Sequence, residues 1–357
     1  MSRFWSQSVQ ALEPYVPGEQ PLIKNLIKLN TNEHPLAPSP KVIEAIQKGL
    51  DGSLRLYPDP ESTQLTQAIA NYYDVSPKSV FVGNGSDEVL AHVFYALLKQ
   101  SKPLYYPEIT YGFYPTYCRY FDIEAQRIPL DDQLRIRPED YFPTAECEAG
   151  AILIANPNAP TGHALSLAEI ESILKANAQI PVVIDEAYVD FGAQSAVQLL
   201  DKYPNLMVVH TLSKSRSLAG LRVGFAMGAP ELIEGLERAK NSFNSYPLDR
   251  LAQLGATAAI GDAAYFEAAC QTVIETRENL VKSLTELGFV VLPSKANFVF
   301  ARHPNHDGGD LAAWLREQGI LVRHFDTPKI RQYLRITVGT PEQCRSLTEM
   351  LAKRIQA

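Results

Sequence analysis

The stretch Leu206–Gly224, LMVVHTLSKSRSLAGLRVG, holds the side chains best able to do chemistry. An apolar run, Leu206 to Val209, reads as a buried strand. It exits into two hydroxyls, Thr211 and Ser213, and one lysine, Lys214. Arg222 follows after a small-residue loop containing Ala219 and Gly220. A lysine amine can form a Schiff base. Hydroxyls and a guanidinium can hold a dianion. A phosphate-bearing aldehyde needs both contacts at once. Taken alone, the segment reads better as a surface lysine on a serine-rich loop, so the rest of the chain decides.

Other polar residues gather at strand exits. Val80–Val82 runs into GNGSDE (Gly83–Glu88), which opens a helix whose free N–H groups make an anion site. Asp87 in the first turn also fits a simple cap. Ala151–Ala155 exits into NPNAPTG, with Asn158, and Val182–Ile184 exits into DEAYVDF, with Asp185 and Tyr188. A carboxylate at the end of a buried strand is costly unless paired. A protonated pyridine nitrogen would suit Asp185 and would make the ring an electron sink; a helix N-cap or a metal ligand are the other readings. Tyr188 and Asn158 could reach the same ring's phenolic oxygen. Tyr111, in PEITYGFY after the short strand Leu104–Tyr106, could lie against the ring face, a contact worth about 0.5–1.5 kcal/mol. Ser86, Ser213 and Arg222 would surround the phosphate.

These residues need elements to hold them. Asn158 to Asp185 is 27 positions and Asp185 to Lys214 is 29, about one strand–helix–strand unit each. Apolar strands at that spacing predict a parallel sheet covered by helices, with its ligand site at the strand exits. Helices are predicted at Lys41–Leu50, opened by Pro40, at Ser62–Tyr73, at Pro230–Lys240 and over 250–287. The tail mixes strands (GFVVLPSKANFVFAR, GILVRHF, YLRITVG) with helices at Asp310–Gln318 and 341–355, which predicts a smaller α/β domain. The expected division is an N-terminal arm contributing to the small domain (1–45), a large domain (46–265) and a small C-terminal domain (266–357).

Composition narrows the partners. The 357 residues are 46% hydrophobic and 20% charged, ordinary for a globular protein, and the net charge of −7 disfavours nucleic acid. Cys118, Cys147, Cys270 and Cys344 form no CxxC pattern and read as reduced cysteines of a cytosolic protein. The N-terminus MSRFWSQSVQALEPY lacks a signal-peptide core, and no apolar run approaches a membrane span. A soluble, cytoplasmic protein is expected. His303 and His306 lie in a polar turn without a third ligand, so no metal is expected. His210 is read as packing beside the lysine loop.

The motifs LNTNEHP (29–35), GNGSDE (83–88), PEITYGFY (107–114), NPNAPTG (156–162), DEAYVDF (185–191), TLSKSRSLAGLRVG (211–224) and YLRITVG (333–339) span nearly the whole chain. In this order they resemble the fold type I aminotransferases of class II, the pyridoxal-phosphate-dependent group that includes aspartate aminotransferase, and most of all its members acting on histidinol phosphate. The resemblance implies a large domain with a mainly parallel central sheet, a smaller α/β domain, and pyridoxal 5'-phosphate as cofactor. It makes Lys214 the Schiff-base lysine and pairs Asp185 with the pyridine nitrogen. It puts Asn158 and Tyr188 on the ring hydroxyl and stacks Tyr111 on the ring. Gly85 and Ser86, with Asp87 beside them, hold the phosphate together with Ser213 and Arg222. Tyr57 would reach the phosphate in a neighbouring subunit, which implies a homodimer. The family usually has a second asparagine at the position of Ala159; with Asn158 retained, cofactor binding is expected to survive.

On the substrate side, the resemblance gives Arg335 the glutamate carboxylate, Arg323 the substrate phosphate, and Tyr15 a place over the substrate. Arg316 and Arg331 read as a solvated face. The implied activity is a ping-pong exchange between histidinol phosphate and 2-oxoglutarate, giving imidazole acetol phosphate and glutamate, with Lys214 as general base. Net flow would run the other way, towards histidine. The alternatives are an aromatic amino acid (phenylalanine or tyrosine) aminotransferase, a decarboxylase of a phosphorylated amino acid, and a non-catalytic sensor on this fold.

Overall fold

The computed structural model describes residues 2–16, 18–21, 25–145 and 147–356. Its strands are β1 (Ile27–Leu29), β2 (Val80–Asn84), β3 (Leu104–Pro107), β4 (Ala125–Ile128), β5 (Ala151–Ala155), β6 (Val182–Asp185), β7 (Leu206–Thr211), β8 (Val223–Gly228), β9 (Val290–Val291), β10 (Phe298–Arg302), β11 (Ile320–His324) and β12 (Tyr333–Thr337). One sheet has the order β2-β8-β7-β6-β5-β3-β4 and the other β1-β11-β12-β10-β9. This is the α/β architecture expected, with a mainly parallel larger sheet. Within it only β8 breaks the pattern, running antiparallel to both β2 and β7.

The apolar runs become central strands because both sheet faces are covered. Successive side chains alternate between faces, and they enter two different cores. Ile152, Ile154, Val182, Ile184, Leu206 and Val208 pack into one. Ala151, Leu153, Ala155, Val183, Met207 and Val209 pack into the other. The second sheet has its own core, in which Val299, Leu334 and Ile336 meet Val273 and Leu280 of helix Ala263–Glu286 and Leu347 and Leu351 of helix Pro341–Ile355.

Register sets where the strands end. Ala155 of β5 lies opposite Asp185 of β6, and Asp185 lies opposite Val209 of β7. The three exits therefore open at one level, at the carboxyl edge where sheets of this kind place ligands. On the other side of β7, Thr211 pairs with Gly224, which pairs with Gly83. That row brings the start of helix Gly85–Val93 beside the Lys214 loop. In the smaller sheet, Arg323 of β11 lies directly opposite Arg335 of β12.

Helix ends follow their caps. Pro40 takes the first turn of Pro40–Lys48 with Ser39 capping it. Ser166 with Glu169, and Thr340 with Gln343, form capping boxes. Asp307 caps Gly308–Glu317, so that helix starts two residues before the predicted Asp310. No helix among the described residues is long and apolar enough to cross a membrane. Replacing Ile154, wholly buried in β5, by Ala should cost about 2–5 kcal/mol of stability. Urea unfolding of the ligand-free protein followed by circular dichroism measures this; a loss below about 1 kcal/mol would contradict the packing described.

Candidate active site

Two cavities meet at the carboxyl edge of the larger sheet. The inner one, about 110 Å³, is lined by the exits of β5, β6 and β7 and by Ser86, Asp87 and Arg222. The outer one, about 410 Å³, opens towards the smaller sheet and is lined by Tyr15, Thr31, Arg323 and Arg335 among others. Tyr111, Ala159, Tyr188 and Lys214 line both. The Lys214 amine thus stands at the junction, where its Nζ donates to the Thr31 carbonyl at 3.2 Å.

The inner cavity is chemically polarised. At one end, helix Gly85–Val93 presents its N-terminus, where free N–H groups favour an anion. Gly85 has φ +78°, and a Cβ there would lie 2.4 Å from Arg222 Nη2, so only glycine fits. Arg222 Nη1 donates to Ser213 Oγ at 3.4 Å, and its Nη2 donates to Asp87 Oδ2 at 2.8 Å. The Tyr111 hydroxyl donates to the other Asp87 oxygen at 3.0 Å. Asp87 is therefore more than a helix cap: it fixes both the guanidinium and the aromatic wall.

At the opposite end, Asp185 closes β6 with 5% of its surface exposed. Burial pushes its carboxyl up to about 6, against the hydrogen bonds that favour the anion. Those bonds come from the Tyr114 hydroxyl to Oδ2 at 2.8 Å and from the Ala187 N–H to Oδ1 at 3.3 Å. Tyr114 is fully buried, and burial followed by the neighbouring Asp185 raises its phenol well above the ordinary range, so it stays a donor. Tyr114 is not among the residues that the motifs single out. Its only signal is its place three residues beyond Tyr111, in the turn that opens helix Tyr114–Phe121.

Asn158 is held by its loop neighbours. Asn158 faces neither cavity. Its Nδ2 donates to the Ile109 carbonyl at 2.9 Å and to Thr161 Oγ1 at 3.2 Å, and its Oδ1 accepts from Thr110 Oγ1 at 2.8 Å. A buried amide takes partners wherever they are, and here they pin the β5 loop to the loop after β3. The residue that faces both cavities is its neighbour Ala159. Of the two neighbours, Ala159 is the one that lines the cavities, and its methyl side chain carries no donor.

Behind β7, His210 does more than pack. Its Nε2 lies 2.9 Å from Glu186 Oε2 and its ring stacks on Phe225 at 5.2 Å. Burial alone would lower His210, but the Glu186 carboxylate outweighs it and the net direction is up. Glu186 also accepts from Ser195 Oγ and the Ala196 N–H, both at 2.6 Å. This web backs the strand ends and reaches neither cavity.

In the outer cavity, Arg335 Nη2 donates to the Asn30 carbonyl at 2.7 Å, while its buried Nε has no partner among the described residues. Arg323 lies with its guanidinium 5.4 Å from the Phe325 ring centre. Tyr15 packs on Phe113 at 4.9 Å. Arg316 pairs with Glu19 at 2.8 Å, tying the N-terminal arm to helix Gly308–Glu317, and Arg331 is exposed. Tyr57 lies outside both cavities, 80% exposed and stacked on Tyr246 at 4.8 Å. The rings of His303 and His306 lie 4.7 Å apart, and the described residues contain no cluster of three or more His, Cys, Asp or Glu that could hold a metal.

Known proteins show the family to which the chain belongs. The family model "Aminotransferase class I and II" matches residues 24–351. A histidinol-phosphate aminotransferase of Aromatoleum aromaticum is 59% identical over 98% of this chain and 99% of its own length. Histidinol-phosphate aminotransferase 1 of Pseudomonas fluorescens is 58% identical over 99% of this chain and all of its own. In overall shape the chain is similar to the Sinorhizobium meliloti histidinol-phosphate aminotransferase solved in complex with pyridoxal-5'-phosphate (TM-score 0.89, 23% identity, 100% of this chain and 98% of that one). It is also similar to a Thermus thermophilus aspartate aminotransferase mutant (TM-score 0.84, 22% identity, 99% and 100%). The chain belongs to the class I and II aminotransferases. Within that class, its full-length relatives at 57–59% identity carry the histidinol-phosphate aminotransferase name.

The Asp185 shift has a thermodynamic consequence. Its carboxyl titrates near 3.8 unfolded and near 6 folded. Below about pH 4 both states are protonated. Above about pH 6 the folded, ligand-free protein holds a buried carboxylate that the unfolded chain does not. The residue's stabilising share is thus lost as pH rises through 6, by on the order of 3 kcal/mol. Asp185→Asn should remove that loss: denaturant unfolding at pH 4 and pH 7 should show the variant gaining on the parent as pH rises. An equal difference at both pH values would contradict the assignment.

Proposed function

We propose that this chain is a pyridoxal-phosphate-dependent aminotransferase. It exchanges an amino group between histidinol phosphate and 2-oxoglutarate, and in the cell it runs towards histidinol phosphate in histidine biosynthesis. The observation that carries the reading is the polarity of the inner cavity. An anion end (Gly85, Ser86, Ser213, Arg222), an aromatic and methyl wall (Tyr111, Ala159), a buried carboxylate (Asp185) and a lysine at the mouth (Lys214) match phosphate, flat ring, ring nitrogen and aldehyde in order. The donor set fits the cofactor.

When bound, pyridoxal phosphate supplies the aldehyde that takes up the amino group and the ring that draws electrons from the substrate Cα. The chain's own residues do the rest. Asp185 as a carboxylate favours a protonated ring nitrogen, and Tyr114 keeps it oriented. Tyr188 faces the ring hydroxyl from the β6 exit. Asp87 aims Arg222 at the phosphate. Lys214 Nζ, at the junction of the cavities, takes the proton from the substrate Cα and returns it.

Substrate recognition belongs to the outer cavity. Arg323 and Arg335 face it from adjacent strands in register, and the unpartnered Arg335 Nε is a donor awaiting an anion. Arg335 takes the glutamate carboxylate, Arg323 the phosphate of histidinol phosphate, and Tyr15 covers them. The relatives' shared name and this arginine pair favour the phosphorylated donor over phenylalanine or tyrosine. The working unit on this reading is a cytoplasmic homodimer in which the exposed Tyr57 reaches the neighbouring subunit's cofactor phosphate.

Lys214→Ala should remove the visible band of the lysine-linked cofactor and reduce transfer to background; full turnover would sink the reading. Arg323→Ala should raise KM for histidinol phosphate about 10- to 100-fold, the value of one charge-assisted contact, and leave KM for 2-oxoglutarate within about twofold. Steady-state kinetics with both substrates varied decides this, and an equal rise for both would contradict the division of labour.

A further inference from the structure

Ala159 leaves Tyr188 as the side chain facing the ring hydroxyl, so the direction in which Tyr188 points its proton matters. The structure fixes that direction through Asn32, in the LNTNEHP motif. Asn32 is buried, at 1% exposure, with φ +57°, a left-handed conformation that asparagine tolerates. The Asn32 N–H donates to Thr337 Oγ1 at 3.0 Å. The Thr337 hydroxyl donates its single proton to Asn32 Oδ1 at 2.9 Å. That proton on Oδ1 orients the amide, and Asn32 Nδ2 donates to Tyr188 Oη at 3.0 Å. Asn297 Nδ2, donating to the Asn32 carbonyl at 3.0 Å, holds the backbone in place. Tyr188 accepts from Asn32, so its own O–H has no role on that side. Among the described residues it donates to no one, and the residue lines both cavities.

We infer that Asn32 is a positioning residue: by acting only as a donor to Tyr188, it turns the tyrosine proton towards the ring oxygen of the cofactor, a donation in which the methyl side chain of Ala159 cannot share. The lock is set by β12, so the smaller sheet sets the hydrogen-bond polarity of the cofactor pocket. The inference rests on Tyr188 facing the ring hydroxyl.

The test uses the pyridoxal-phosphate-loaded protein and the pH at which its visible band changes. A donor on the ring oxygen draws charge away from the neighbouring proton, so losing that donor moves the midpoint up, by roughly one unit. Tyr188→Phe removes the donor. Asn32→Asp keeps shape and tolerates the same φ, but its carboxylate accepts the Tyr188 proton and turns it away. Both single variants should move the midpoint up together, and the double variant should move it no further. Lys214, Asp185, Asp87, Arg222, Glu108, Arg323 and Arg335, the charged groups lining the same cavities, are untouched in every variant. An unmoved midpoint in Asn32→Asp beside a moved one in Tyr188→Phe overturns the inference and leaves the Tyr188 reading standing. Additive shifts in the double variant also overturn it, since the new charge would then be acting directly. An unmoved midpoint in Tyr188→Phe defeats the underlying reading and the inference with it. If Asn32→Asp does not fold, Thr337→Val unlocks the amide instead; it should give a midpoint between parent and Tyr188→Phe, and an unchanged one overturns the inference.

Discussion

A carboxylate held at the end of a buried strand is the constraint from which the rest follows. Asp185 is tolerable there because Tyr114 and the Ala187 N–H hydrogen-bond to it, yet burial still pushes its carboxyl up to about 6. A cationic ring nitrogen in the inner cavity relieves that strain. The carboxylate stays put because β5, β6 and β7 are apolar on both faces and packed into two cores. The register that aligns Ala155, Asp185 and Val209 then fixes how far the Lys214 loop stands from Asp185. Fold stability and site geometry are two consequences of the same strand packing.

Much of this was legible in the residues. All-apolar runs about a strand–helix unit apart specify a covered parallel sheet, and polar residues at their exits mark its functional edge. Asn158 shows the limit of that reasoning. Neighbours in a turn point opposite ways, and composition does not say which faces the cavity; the partners Ile109, Thr110 and Thr161, which decide it, come partly from a distant loop. Tyr114 is a core aromatic whose hydroxyl happens to meet Asp185, and nothing in its local pattern marks it. Asn32 depends on Thr337, 305 residues away, a contact no local pattern encodes. Helix boundaries shifted by one or two residues where a cap, such as Asp307, lay outside the periodic segment.

The substrate side is assembled from both ends of the chain. Strand β1 joins the smaller sheet beside β11, and the loops around it bring Tyr15 and Thr31 to the outer cavity opposite Arg323 and Arg335. Lys329, in the loop before β12, reaches back to Glu108 after β3 at 2.5 Å and links the two sides of the cavity mouth. A site built this way can hold the cofactor with the larger sheet while the smaller sheet sets which amine is accepted. That separation explains why the inner cavity speaks for the cofactor and only the arginine pair speaks for the substrate.

The most direct measurement is a half-reaction: the cofactor-loaded protein mixed with histidinol phosphate alone, followed by its visible absorbance. The account predicts that the band is lost as one amino group is transferred per chain, and that 2-oxoglutarate restores it with release of glutamate. A band unmoved by histidinol phosphate but lost with phenylalanine or tyrosine would contradict it.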